Sequence, residues 1–228
     1  MFEDFIDKID NTIGDRSGTV FYSGRSAFST PPGDLSLPSL YVLGLNPGGD
    51  PHHPDCGTIA ASITEFLAYP EDAWSAYKDA EWEKRFGPGG MPMQRRVWHV
   101  LSGLGRDARS IPASNVVFVR SKDEENLSPE KKDLLPVCWH FHDAVIKQLS
   151  IRVVLCLGST AGEWVRNRLG AHESVGTFVE DNNRRWTSSA YKNSAEQYVL
   201  TLPHPSRADW TARATDPTPF VHDMLANV

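Results

Sequence analysis

The strongest constraint on this chain is Leu40-Tyr41-Val42-Leu43-Gly44-Leu45, an apolar run with no solvated face that stops abruptly at Asn46-Pro47-Gly48-Gly49. Such a run is comfortable only when covered on both sides, as in a parallel sheet between helices. Pro47 fixes φ and removes a donor, and the glycines accept conformations that other residues resist, so the chain must leave the sheet sharply here. In an open α/β sheet, ligands bind beyond the carboxyl ends of the strands. Asn46 stands at such an end with an amide that can both donate and accept, as a candidate for holding a ligand or a water. Asn-Pro-Gly is also ordinary turn chemistry, so this stretch alone does not decide between the two.

A second stretch repeats the design. Tyr198-Val199-Leu200-Thr201-Leu202 runs into Pro203-His204-Pro205-Ser206-Arg207, again an apolar strand ending in a proline-braced polar turn. Two more strands read from Asn115 to Val119 and from Arg152 to Leu157. Between them, apolar stripes predict helices over 94–104, with Gly105 as a stop, and over 129–149, with Pro136 as a kink or restart. Thr160 and Glu163 fit a capping box opening a helix to about Leu169. Residues 174–189 read as a polar hairpin turning at Asp181-Asn182-Asn183, and a terminal helix starts near Thr218. Ahead of the first strand, Phe2, Phe5, Ile6, Ile9 and Ile13 mark an amphipathic helix, and residues 17–38 a surface wrap; 58–67 reads as a helix behind the first turn.

Strands alternating with helices predict an α/β fold, a parallel sheet with helices on both faces. At 228 residues without an internal repeat, the chain is expected to be one domain, 1–228. The acids of Met1-Phe2-Glu3-Asp4 replace the lysines of a signal peptide, and no run is long enough for a membrane span. Cys56, Cys138 and Cys156 are odd in number and widely spaced, which predicts reduced thiols and a cytoplasmic protein. A net charge of −6 argues against a non-specific coat on nucleic acid but leaves room for a local basic cleft.

Together the two turns resemble the active-site motifs of the uracil-DNA glycosylase superfamily. Gly44-Leu45-Asn46-Pro47-Gly48 is similar to the first motif of its mismatch-specific and single-strand-selective branches, and His204-Pro205-Ser206 to the second motif of most branches. The stretch from Ser114 to Val165 resembles the middle of the bacterial and archaeal members, with an asparagine at a strand, a helix near Ser128-Pro129 and a strand ending in Leu157-Gly158-Ser159-Thr160-Ala161. Coverage runs from about Leu40 to Arg207. The resemblance implies a three-layer α/β/α sandwich around a four-stranded parallel sheet, and removal of a damaged or unusual base from DNA.

That chemistry needs a base extruded into a pocket and a preorganised donor aimed at the charge developing on it. The resemblance makes His204 that donor, as a neutral imidazole, and Asn46 the residue that positions the attacking water. Base recognition falls to Asn115, whose amide can pair with the O4 and N3–H pattern of uracil and whose register aligns the downstream helix and the Leu157-to-Ala161 stretch without gaps; the register of the single-strand-selective branch would instead put the reading position at Ser121, which would favour a modified base. Gly44, Leu45, His52 and His53 border that site; several branches carry an aromatic just after the first motif, where this chain has the two histidines. Ser206 and the backbone around Gly48 and Gly49 would grip phosphates, and Arg207 or Trp210 would be the wedge filling the hole left by the flipped nucleotide.

Other chemistries fit less well. His52, His53, Asp55 and Cys56 are too close together to point at one ion and have no partner motif, so no metal is expected. Cys138 and Cys156 cannot alone hold the iron–sulfur cluster of some superfamily branches. The Gly-rich turn fits neither a dinucleotide fingerprint nor a Walker motif, so no cofactor is expected. No lysine is placed for a Schiff base. Arg95-Arg96 and Arg184-Arg185 read as solvated pairs. The expectation is a monomeric, monofunctional DNA glycosylase acting on uracil or a modified pyrimidine, in repair or in defence against phage DNA with hypermodified bases. The alternative from another class is a non-catalytic nucleic-acid-binding module on the same fold.

Overall fold

The structure, a computed structural model, describes Gly24, Ser29 and residues 40–53, 57–59, 61, 62 and 73–228, apart from the side chains of residues 128–131. The N-terminal helix, most of the surface wrap, most of the 58–67 helix, and Cys56 lie outside the described residues.

The strands are β1 (Leu40–Gly44), β2 (Ala113–Asn115), β3 (Val153–Leu157), β4 (Glu173–Val179), β5 (Thr187–Lys192) and β6 (Tyr198–Leu202). The α-helices whose bounds fall among the described residues are α1 (Pro92–Gly103), α2 (Glu124–Gln148), α3 (Ser159–Leu169) and α4 (Thr218–Leu225). The fold is α/β, and its sheet has the order β2-β1-β3-β6-β5-β4. β2, β1, β3 and β6 run parallel, whereas β5 pairs antiparallel with both β6 and β4. Among the described residues the sheet is therefore six-stranded and mixed, not the four-stranded parallel sheet expected. The hairpin read as a polar insertion supplies the difference. Ala190 and Ser188 are buried, so β5 has an inward face that closes the β6 edge.

Every residue of β1 and β3 is buried, as the apolar runs required. Tyr41 and Leu43 pack with Cys138, Phe141 and Val145 of α2 and Val165 of α3. Leu40 and Val42 pack on the other face, with Val97 and Leu101 of α1 and Phe220 and Val221 of α4. Strand alternation therefore feeds two cores, one on each side of the sheet. Cys138 and Cys156 are buried free thiols within the first of them, and burial raises the pKa of each.

Four local expectations are corrected. β2 starts and ends earlier than the apolar run 115–119 suggested; Val116–Val119 are buried but follow the outgoing turn, Val116 N–H donating to Gly44 O and Val117 N–H to Leu45 O. α2 starts at Glu124, because the Asp123 carboxylate accepts the Asn126 N–H as an N-cap. The same helix continues through Pro136 without restarting. That residue is exposed, so the carbonyl it leaves without a donor is on the solvent side. The capping box at α3 does not form. Gly158 is the N-cap, and the Thr160 hydroxyl instead donates to Glu124 Oε2 at 3.2 Å.

α3 lies unusually close to β6. A Cβ on Gly162 would stand 2.0 Å from Thr201 Oγ1 and 2.5 Å from its Cγ2. Gly162→Ala should therefore destabilise the protein by roughly 1–3 kcal/mol in urea unfolding, overriding alanine's helix preference, and Thr201→Ala should recover part of the loss. His142, fully buried, lies within 2.8 Å of the Tyr41 hydroxyl through Nδ1, and burial pushes its pKa down to about 4 despite backbone hydrogen bonds that act the other way. The unfolded histidine, with an ordinary pKa of about 6.5, binds the proton that the native one refuses. This contribution is complete above that value and is lost as pH falls towards 4. Urea unfolding should show stability dropping by on the order of 2 kcal/mol between pH 7 and pH 5, with a shallower dependence in His142→Gln.

Candidate active site

β1 and β6 stand on either side of β3. With strands about 4.8 Å apart, their carboxyl ends are separated by roughly 10 Å, the space of one planar ring with its contacts. The chain leaving β1 goes to β2 on one side, and the chain leaving β3 goes towards β6 on the other, which makes the end of β3 a switch point of the sheet. A cleft of about 810 Å³ opens there. Leu157 and Gly158 come from β3 and its exit, Asn46 and Gly48 from the first turn, and His204, Ser206 and Arg207 from the second; all of them line it. Its volume is in the range of small-ligand sites.

The first turn is tied to the segment that follows β2. Ser121 N–H donates to Pro47 O at 3.1 Å, and Arg120 Nη1 donates to Gly48 O. Asn46 Nδ2 faces Pro47 O at 3.0 Å, Val119 O at 3.4 Å and Ser121 Oγ at 2.8 Å. Two of these are carbonyls, which only accept, so the NH₂ must point at them. The Ser121 hydroxyl donates to Asp123 O at 2.6 Å, so it too accepts from Asn46. With both amide protons engaged, Oδ1 is what Asn46 offers. It can accept a proton from a water or a ligand and has no hydrogen-bond partner among the described residues.

The second turn is held by three side chains from three elements. Trp210 Nε1 donates to Pro203 O at 3.1 Å, Arg96 Nη1 from α1 to Pro205 O at 2.8 Å, and Arg184 Nη1 from the β4–β5 turn to Arg207 O at 2.9 Å. Within it, Ser206 N–H donates to His204 Nδ1 at 3.2 Å, with Ser206 Oγ 2.7 Å from the same nitrogen. A backbone N–H can only donate, so Nδ1 is the acceptor and the proton of the neutral ring sits on Nε2. Burial, and secondarily the Arg207 cation, lower the His204 pKa and keep the ring neutral. Gly158 lies beside the ring. Its φ of +103° favours glycine, and a Cβ there would meet His204 Cβ and Cδ2 at 3.5 Å.

The structure thus brings together Leu45, Asn46, Gly48, Ser121, His204, Ser206 and Arg207. Others of the expected set stand elsewhere. Asn115 is buried against Gly44, where a Cβ would meet its Oδ1 at 2.2 Å, and neither residue lines the cleft. The expected reading position, Asn115, is therefore corrected; the alternative, Ser121, lines the cleft. His52 and His53 are exposed in a turn around Asp50 and do not line it either, nor does Gly49. Trp210 is no wedge. It is 1% exposed, packed in the core beneath the turn it hydrogen-bonds.

Three contributors escaped the sequence reading. Trp186 brings an aromatic ring to the cleft wall, and Arg96 and Arg184 brace the His204 turn. Both arginines sit in pairs that read as solvated surface; only the antiparallel addition of the hairpin to β6 and the packing of α1 beside the turn reveal their acceptors. The signal available was an aromatic, Trp186, directly after Arg184-Arg185 in the polar turn of the hairpin.

An NMR titration of the His204 ring should place its midpoint below the ordinary histidine value of about 6.5, with Nε2 protonated in the neutral form. Arg207→Ala should raise that midpoint by removing a nearby positive charge.

No protein-family model matches this sequence, and no curated protein matches it.

Proposed function

We propose that this chain hydrolyses the N-glycosidic bond of a base turned out of DNA into the cleft, the activity implied by the resemblance of its two turns to the uracil-DNA glycosylase superfamily. The observation that carries the proposal is the pairing in one cleft of an acceptor, Asn46 Oδ1, with a neutral N–H donor, His204 Nε2. The four parallel strands β2-β1-β3-β6 are in keeping with the sandwich that the resemblance implies, with the β4–β5 hairpin as an addition.

The chemistry divides between these two groups. As the bond from C1′ to the base nitrogen breaks, its electron pair leaves with the base and the sugar becomes cation-like. His204 donates a hydrogen bond to the base oxygen on which negative charge collects, and a neutral ring does so without having to surrender its proton. Asn46 Oδ1 accepts a hydrogen bond from the water that adds to C1′. The amide is too weak a base to deprotonate that water outright, which is tolerable because the sugar is already cationic. The hydroxyl ends on C1′ and the proton on the departing base, so the products are a free base and an abasic site.

Ser121 favours a modified pyrimidine over uracil as substrate. An asparagine at that place could pair with the uracil edge; a serine bonded to both Asn46 and Asp123 offers less discrimination and more room.

The test incubates the protein with uracil-containing single- and double-stranded oligonucleotides, and with phage DNA carrying hypermodified pyrimidines, followed by alkali to break abasic sites. Cleavage is expected with the intact chain and should fall by about 10²–10³-fold in His204→Ala, the cost of one such donor, with a loss of similar order in Asn46→Ala. Product from the phage DNA alone would select the modified-base reading. Binding without product, unchanged in both variants, would mean a non-catalytic module.

A further inference from the structure

The β4–β5 turn carries a stack that the proposed bond cleavage does not use. The Arg184 guanidinium lies 4.2 Å from the centroid of the Trp186 ring, and that of Arg207 lies 5.3 Å from it. Trp186 and Arg207 both line the cleft that holds Asn46 and His204. Apart from the His204 imidazole, Trp186 is the one aromatic ring among the described residues lining it.

The two arginines are held very differently. Arg184 is anchored: Nη2 pairs at 3.2 Å with Glu180 Oε2, a carboxylate 2% exposed, and Nη1 donates to Arg207 O. Asn182 Nδ2 donates to the same carboxylate oxygen at 2.9 Å, and Glu180 N–H donates to Trp186 O, so the tip is cross-braced. Removing Arg184 from the ring would break an ion pair with a buried partner. The Arg207 guanidinium is exposed and has no hydrogen bond or ion pair among the described residues; it stands over Trp186 and near enough to His204 for its charge to lower that ring's pKa.

We infer that Trp186 and Arg207 form an exchangeable pair: a nucleobase entering the cleft displaces Arg207 from the indole ring, stacks there itself, and frees the guanidinium to bind the phosphate of the same strand. Ring stacking and cation–π contact compete for one surface, and a base offers more area than a solvated guanidinium. The released group then finds a partner that suits its fork geometry. The polarity of the cleft agrees. Asp123 and Glu124 are the carboxylates that line the cleft; the nearest acids to the second turn, Asp209 and Glu180, do not line it and are each paired with an arginine, Arg96 and Arg184. Stacking is tolerant of base identity, so the pair would serve uracil and modified pyrimidines alike.

This inference rests on the cleft being a base site but not on its breaking a bond, so it is tested on binding. Fluorescence anisotropy is measured with two single-stranded oligonucleotides, one carrying a single uracil and the other a tetrahydrofuran abasic site at the same position. All variants are made in an Asn46→Ala background to suppress turnover. The background protein should prefer the uracil strand by about ten-fold, on the scale of one stacked base. Trp186→Ala should abolish that preference and Trp186→Phe should restore most of it, a rescue that separates stacking from a folding defect. Arg207→Ala should flatten the salt dependence by about 0.7 in log–log slope on the uracil strand and by less on the abasic strand, where the guanidinium stays on the ring.

Equal preference in Trp186→Ala and its background, no preference in the background itself, or an identical Arg207→Ala effect on both strands would each overturn the exchange. Should the intact chain release no base from any DNA while Trp186→Ala still loses the preference, the exchange stands and the glycosylase reading falls. Release of base by a Trp186→Ala chain with its strand preference intact would do the reverse.

Discussion

The spacing of three parallel strands governs what this molecule can do. β3 separates β1 from β6, so the turns that leave those outer strands face each other across the width of a single ring. Above β3 the chain passes through Gly158, whose positive φ favours glycine, into α3 beside the His204 ring. Leu157 supplies an apolar base, and the opening forms where the connections diverge to opposite sides of the sheet.

On this frame the two turns are built to opposite polarity. Asn46, which lines the opening, spends its amide protons on Pro47, Val119 and Ser121 and is left with Oδ1 as an acceptor. His204 spends its acceptor nitrogen on the Ser206 backbone and turns a donor towards it. Neither outcome depends on the side chain alone; each follows from which of its hydrogen-bonding atoms the surrounding backbone has already claimed. A reaction that generates an anionic leaving group and a cationic centre wants a fixed donor at one end and an acceptor-held water at the other. Arg96, Arg184 and Trp210 hold the second turn by its carbonyls, so the donor is positioned by the sheet, α1 and the hairpin together.

How much of this could be read from the residues varied with the kind of interaction. β1, β3, β6 and α1 were legible to within a residue or two, because a run apolar on both faces or a clean helical stripe has one physical solution. Asn46 and His204 stood out because proline and glycine punctuate the strands that carry them. The extra pair of strands was not legible as part of the sheet, since a polar hairpin reads the same whether it stands free or pairs with an edge. Asn115 and Ser121 both sat within the right segment. Which of them reaches the cleft depends on β2 ending early and running along the first turn, a long-range backbone contact that no local pattern encodes. Trp210 illustrates the same limit, as a large aromatic after a motif reads equally as a protruding wedge or a core residue.

The most direct measurement is a crystal structure of the protein with a single-stranded oligonucleotide carrying 2′-fluoro-deoxyuridine, whose electron-withdrawing substituent resists formation of the sugar cation. The account predicts the pyrimidine inside the cleft over Leu157 and Gly158, a ring oxygen substituent within hydrogen-bonding distance of His204 Nε2, and a water on Asn46 Oδ1 facing C1′. A strand bound with its base outside the cleft, or a base inside it that touches neither residue, would contradict it.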